Sequence, residues 1–108
     1  MKARATKLER DHMAWIAGEV CCACGRYGVN VHHVVSDGYK RLTKDNLRVI
    51  PLCPHCHTDG PYAVHKVSYD TFRNMFGVDQ MSLAEEFCRA SPKAAEIRAM
   101  KAERNGDE

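Results

Sequence analysis

The tightest constraint on this chain is a pair of matched knuckles, Cys21-x-x-Cys24 and Cys53-x-x-Cys56, with 28 residues between them. Each pair can present two sulfurs from one tight turn, so together they complete a tetrahedral shell around one ion. Thiolates in a closed four-coordinate shell are the pattern of structural zinc, whose binding supplies folding free energy on the order of 10 kcal/mol or more in small domains. Cys21, Cys24, Cys53 and Cys56 are therefore the expected zinc ligands, and a chain of 108 residues with little core to spare gains from such a staple. Gly25 suits the turn after the first knuckle. Cys22 could replace Cys21, but only Cys21 keeps the spacing, so Cys22 reads as a buried neighbour. Cys88, alone on an amphipathic segment, reads as core.

Compartment bears on this reading, because six cysteines would also suffice for three disulfides in an oxidising environment. The stretch MKARATKLERDHMAW is charged and lacks the apolar run of an export signal, and no segment approaches a membrane span. A cytoplasmic protein is the expectation, and there clustered cysteines are ligands rather than bridges. The formal net charge of +2 is no argument for nucleic acid, since four thiolates on one divalent ion would cancel it. Its distribution says more: residues 1–50 hold nine Lys or Arg against five Asp or Glu, and residues 51–108 hold seven against nine.

Periodicity places the elements around the knuckles. Leu8, Trp15 and Ile16 share one face of a helix over about residues 5–17, with Lys2, Arg4, Lys7 and Arg10 on or near its wet side and Gly18 as its cap. VNVHHVV and LRVIPL read as two short strands joined by a long connection containing the turn SDGYK. Ser68 caps a helix with Tyr69, Phe72 and Phe76 on its apolar face, stopped at Gly77. Ser82 and Glu85 have the capping-box spacing ahead of Phe87 and Cys88, and Ser91-Pro92 opens a last helix with Ala94, Ile97 and Met100 on one side. The expectation is one α+β domain: an N-terminal helix over 1–19, a core over 20–77 and C-terminal helices over 78–108.

If four thiolates satisfy one ion, His32, His33, His57 and His65 remain, and they suggest a second metal. Neighbouring side chains on a strand point to opposite faces, so His32 and His33 cannot both be simple ligands of one ion. One can bind metal while the other acts. His57 directly follows the second knuckle, and His65 lies past the Gly60-Pro61 turn, from which it can fold back. His12 reads as an ordinary surface or core histidine, and His55, between two ligands, as an exposed spacer.

These residues carry a resemblance. The pattern CxxCG, VHHV, DNLRVIPLCPHCH is similar to the HNH, or His-Me finger, endonucleases in their zinc-supported form with two CxxC knuckles, over about residues 20–77. Within it, HH followed by IPLCPHCHTDGPYAVHKVSYDTFRNMFG resembles phage recombination-enhancement nucleases. The chain departs from common members at Ser36 to Asp45, where Gly38 stands without the frequent Gly-Gly pair. The resemblance implies a ββα-metal fold stapled by the four-cysteine zinc site and flanked by helices at both ends. It implies His33 as general base, His32 and His57 as ligands of a catalytic divalent ion such as Mg2+, Asn46 as the middle Asn of the motif, and His65 as a further ligand or a phosphate contact. It also implies double- or single-stranded DNA as substrate, with room for a recombinase or other phage recombination partner, in the cytoplasm of a bacterial or phage-infected cell.

The chemistry of these residue types fits that assignment. A divalent ion can absorb charge at a scissile phosphate, and a histidine of ordinary basicity can take a proton from water at neutral pH. The amide of Asn46 has no useful acidity, but by bonding to loop backbone it can hold the His33 ring in one orientation. Lys40, Arg41, Lys44 and Arg48 read either as a solvated loop face or, in the connection beside the proposed metal, as phosphate contacts of the sequence-independent kind such an enzyme needs. The main competitor is a zinc-finger DNA-binding or adaptor protein that keeps the knuckles and does not cut. A redox role for CxxC lacks the βαβ surroundings it requires.

Overall fold

Helix α1, Lys7–Ala17, begins at a capping box: the Thr6 hydroxyl accepts from the Glu9 N–H at 3.1 Å, and the Glu9 carboxylate accepts from the Thr6 N–H at 2.8 Å. That cap starts the helix at Lys7 rather than near residue 5. Ile16 is fully buried, Leu8 and Trp15 are half-buried, and the Trp15 ring meets Phe87 edge-on. The computed structural model describes residues 4–34 and 45–106. Over them the chain is a small α+β fold with one two-stranded sheet. No helix among the described residues is long and apolar enough to cross a membrane.

Strand β1, Asn30–His33, pairs antiparallel with β2, Val49–Leu52, setting His32 opposite Ile50 and His33 opposite Val49. Both strands are shorter than the β-branched runs suggested, though the pairing continues as one bond from the Val34 N–H to the Arg48 carbonyl at 2.9 Å. All of β2 is buried, because α1 and α3 pack against it. Pro51 has no N–H to give, yet its carbonyl accepts from Cys22 N–H at 3.0 Å and so ties the first knuckle to the sheet. The expected SDGYK turn lies outside the described residues.

After β2 the second knuckle runs into a single π-helical turn, His55–Asp59, closed by the Gly60 N–H bonding to the His55 carbonyl at 2.8 Å. A Cβ at Gly60 would stand 2.6 Å from that carbonyl oxygen, so only glycine fits. Helix α2, Tyr69–Phe76, starts at the expected Ser68 cap and ends at Gly77, whose φ of 69° is the left-handed turn a glycine takes without strain. Phe72 is fully buried in the main core with Val34, Ile50, Leu52, Val78 and Ala84.

Helix α3, Gln80–Ala90, corrects the expected Ser82 cap: it begins two residues ahead of Ser82, after Asp79, and the Ser82 hydroxyl bonds back to Asp79 Oδ2 at 3.3 Å. The Asp79 carboxylate also accepts from the Tyr69 hydroxyl, which in turn accepts from Met81 N–H, so this corner locks α2 to α3. Helix α4, Ala94–Gly106, follows Ser91-Pro92 and seats Ile97 with Leu47 and Cys88 in a second small cluster. Cys88 is buried there and its thiol donates to the Leu47 carbonyl at 3.0 Å, the core role expected of it. His12 is also core: it is fully buried, with Nδ1 at 3.1 Å from Ser91 Oγ.

Candidate metal centres

The four knuckle cysteines converge. Their sulfurs all lie within 4.8 Å of one another, with Cys24 and Cys53 Sγ at 3.5 Å, and Cys21, Cys53 and Cys56 buried. A zinc ion with Zn–S bonds of about 2.3 Å sets its sulfurs roughly 3.8 Å apart, so the cluster fits a tetrahedral site. Cys22 stands outside it, so the group that could hold an ion includes Cys21 and not its neighbour. Burial pushes the Cys22 thiol up to about 12, as befits an inert neighbour. Burial also pushes on Cys21, but donation from the backbone of Cys53, Ala23 and Cys24 outweighs it and brings that thiol down to about 7. Such N–H donors favour the thiolate at Cys21, while burial pushes the Cys24 and Cys56 thiols up.

Three histidines form a second cluster. Ring nitrogens of His32, His57 and His65 lie within 4.8 Å of one another, with His32 buried, His57 half-buried and His65 exposed. Three elements bring them there: β1 carries His32, the π-helical turn carries His57, and the chain doubles back after Gly60-Pro61 to bring His65 alongside. Bonds from Val64 N–H to the Cys56 carbonyl at 2.8 Å and from His65 N–H to the His57 carbonyl at 3.2 Å hold that return. Nε2 of His57 and Nε2 of His65 are 2.9 Å apart. Two nitrogens held about 2.1 Å from one ion lie roughly 3 Å apart when adjacent in its shell, so the spacing suits a shared cation as well as a shared proton. Burial above all, and then the neighbouring rings, lower the His32 pKa to about 4 despite its bond to Gln80. Burial and then His65 lower that of His57 as well. Neutral imidazoles offering lone pairs are what a cation needs.

His33 stands apart from this cluster. It is half-buried, and its Nε2 lies 2.8 Å from Asn46 Oδ1. Loop backbone is held at this point by Asp45, whose Oδ1 accepts from the Leu47 N–H at 2.9 Å. Asn46 thus touches the His33 ring directly, where the sequence suggested an action through backbone. Arg48 is half-buried at the foot of β2; Lys40, Arg41 and Lys44 lie outside the described residues. His55 is exposed and belongs to neither cluster, as a spacer would.

Two polar partners of the histidines lie outside the residues the sequence motif marks. The Asn30 side-chain amide is 3.1 Å from His57 Nδ1, and Gln80, only 2% exposed, places Oε1 at 3.1 Å from His32 Nε2. Asn30 was recoverable, since residues two apart on a strand share a face and it precedes His32 by two. Gln80 was not: a glutamine opening a helix carries no periodic signal of burial. No family model, curated protein or solved structure matches this chain.

Proposed function

We propose that the protein is a metal-dependent DNA endonuclease of the ββα-metal type, with zinc held by Cys21, Cys24, Cys53 and Cys56 and a catalytic divalent ion held by His32, His57 and His65. The observation that carries this reading is the convergence of three imidazoles on a site separate from the thiols, reached from β1, the turn after β2 and the chain folded back over it. The order β1, β2, α2 is also that of the proposed fold. Three nitrogen ligands leave coordination positions open, unlike the closed thiolate cage; the ion, when bound, supplies charge stabilisation to a scissile phosphate and the departing oxygen.

The proton is handled by His33. Asn46 Oδ1 can only accept, so His33 Nε2 carries the hydrogen of that 2.8 Å bond and Nδ1 is the basic nitrogen. Nδ1 takes the proton of the attacking water, and Asn46 holds the imidazolium that results. Arg48, together with Lys40, Arg41 and Lys44, would engage the DNA backbone.

The test is cleavage of plasmid and single-stranded DNA with Mg2+ or Mn2+, with and without chelator. Metal-dependent nicking should fall about 100- to 10,000-fold in His33→Ala, the span that removal of a general base costs. Zinc content and thermal melt should be unchanged. Equal inactivity of the wild type and His33→Ala under every metal condition would leave the zinc-finger binding or adaptor reading standing instead.

A further inference from the structure

We propose that Gln80 is a positioning residue that presets His32 as an Nδ1 ligand, tying helix α3 to the ion site. This rests on the reading of His32, His57 and His65 as an ion site. A carboxamide oxygen only accepts, so the 3.1 Å approach of Gln80 Oε1 requires the hydrogen of His32 to sit on Nε2. The lone pair of the neutral ring is then on Nδ1, the nitrogen nearer the backbone, and the ion is drawn towards β1. Both partners are buried, His32 at 5% and Gln80 at 2% exposure, so the contact is shielded from competing water. Metal-bound histidines are commonly fixed in this way through their other nitrogen.

An amide at this position has a consequence that a carboxylate would not. Gln80 orients the ring without adding negative charge, which leaves the charge of the bound cation available to a phosphate. Asn30 makes the parallel contact to His57 from an exposed position, whereas Gln80 meets His32 from a buried one at the start of α3.

Long-range proton–nitrogen correlation spectra of the zinc-loaded protein without added divalent ion should find His32 protonated on Nε2. Protonation on Nδ1 overturns the proposal whatever the variants do. Calorimetric titration with Mn2+ should then show Gln80→Met binding about 10- to 100-fold more weakly than wild type. Gln80→Glu, which retains an acceptor, should bind at least as tightly. If wild type and Gln80→Met take up Mn2+ equally, Gln80 is a packing residue only. If the wild type takes up none, the three-histidine ion site falls and this inference with it; the two failures are thus told apart.

Discussion

The two candidate centres meet between Cys56 and His57, adjacent in sequence, yet they are built on opposite terms. Three of the four thiols are buried and the ligands come in pairs from two local knuckles, so the cluster is closed. The imidazoles are graded from buried His32 to exposed His65 and come from three separate stretches, so that cluster has an open side. A closed shell can give folding energy but has no vacancy for substrate; an open shell gives up stability for access. Neighbouring residues can therefore serve architecture and chemistry without conflict.

The largest effect should come from breaking the closed centre. Cys56→Ser should remove zinc, and with it on the order of 10 kcal/mol of folding free energy, leaving an unfolded chain by circular dichroism. His57→Ala, one residue away, should keep the fold and its zinc while losing Mn2+ uptake. Similar melting of the two variants would erase the distinction between the centres.

Gly60 joins them, since it closes the turn after Cys56 and starts the return that delivers His65 to His57. Gly60→Ala must move the His55 carbonyl, and an overpacked contact of that kind costs about 1–3 kcal/mol. The loss should appear in denaturant unfolding, with zinc retained and Mn2+ affinity reduced.

A third test uses pH. Burial, first among the causes, lowers the pKa values of both His12 and His32 from the ordinary 6.5, so the unfolded chain binds protons there that the folded chain refuses. Stability is then fully present above pH 6.5 and falls as pH drops below it, by up to about 1.4 kcal/mol per pH unit for each ring. Urea midpoints measured between neutral pH and about pH 5 should show the decline, and His12→Leu should make it shallower.

The smallest effect on stability should be the most local. Asn46→Ala frees the His33 ring, and misplacement of a reacting group by a fraction of an ångström to an ångström costs up to about 100-fold in rate. DNA cleavage should fall while both metals stay bound and the melt stays put.

Much of this architecture could be read from residue types in order. The CxxC spacing led to the four converging sulfurs because each knuckle is a local structure. The Ser68 cap and Gly77 stop delimited α2 because a helix end is settled within a few residues. Ser82 misled for the same reason: the capping pattern was present, but the Tyr69 hydroxyl donates to Asp79 and accepts from the Met81 N–H, which holds the helix start ahead of Ser82. That competing contact joins residues ten and twelve positions apart, beyond the reach of a local signal.

By itself the sequence determined the thiol knuckles, the opposed faces of His32 and His33, and the limits of α2, all of which depend on backbone geometry over a handful of residues. Only the tertiary structure decided that His65 folds back onto His57, that Asn46 reaches the His33 ring, and that Gln80 is buried against His32. Those contacts span 8, 13 and 48 positions. The His65 contact arises as the chain turns at Gly60 and the Gln80 contact as α3 packs on the sheet, while Asn46 meets His33 beside the strand pair; composition alone does not choose such partners.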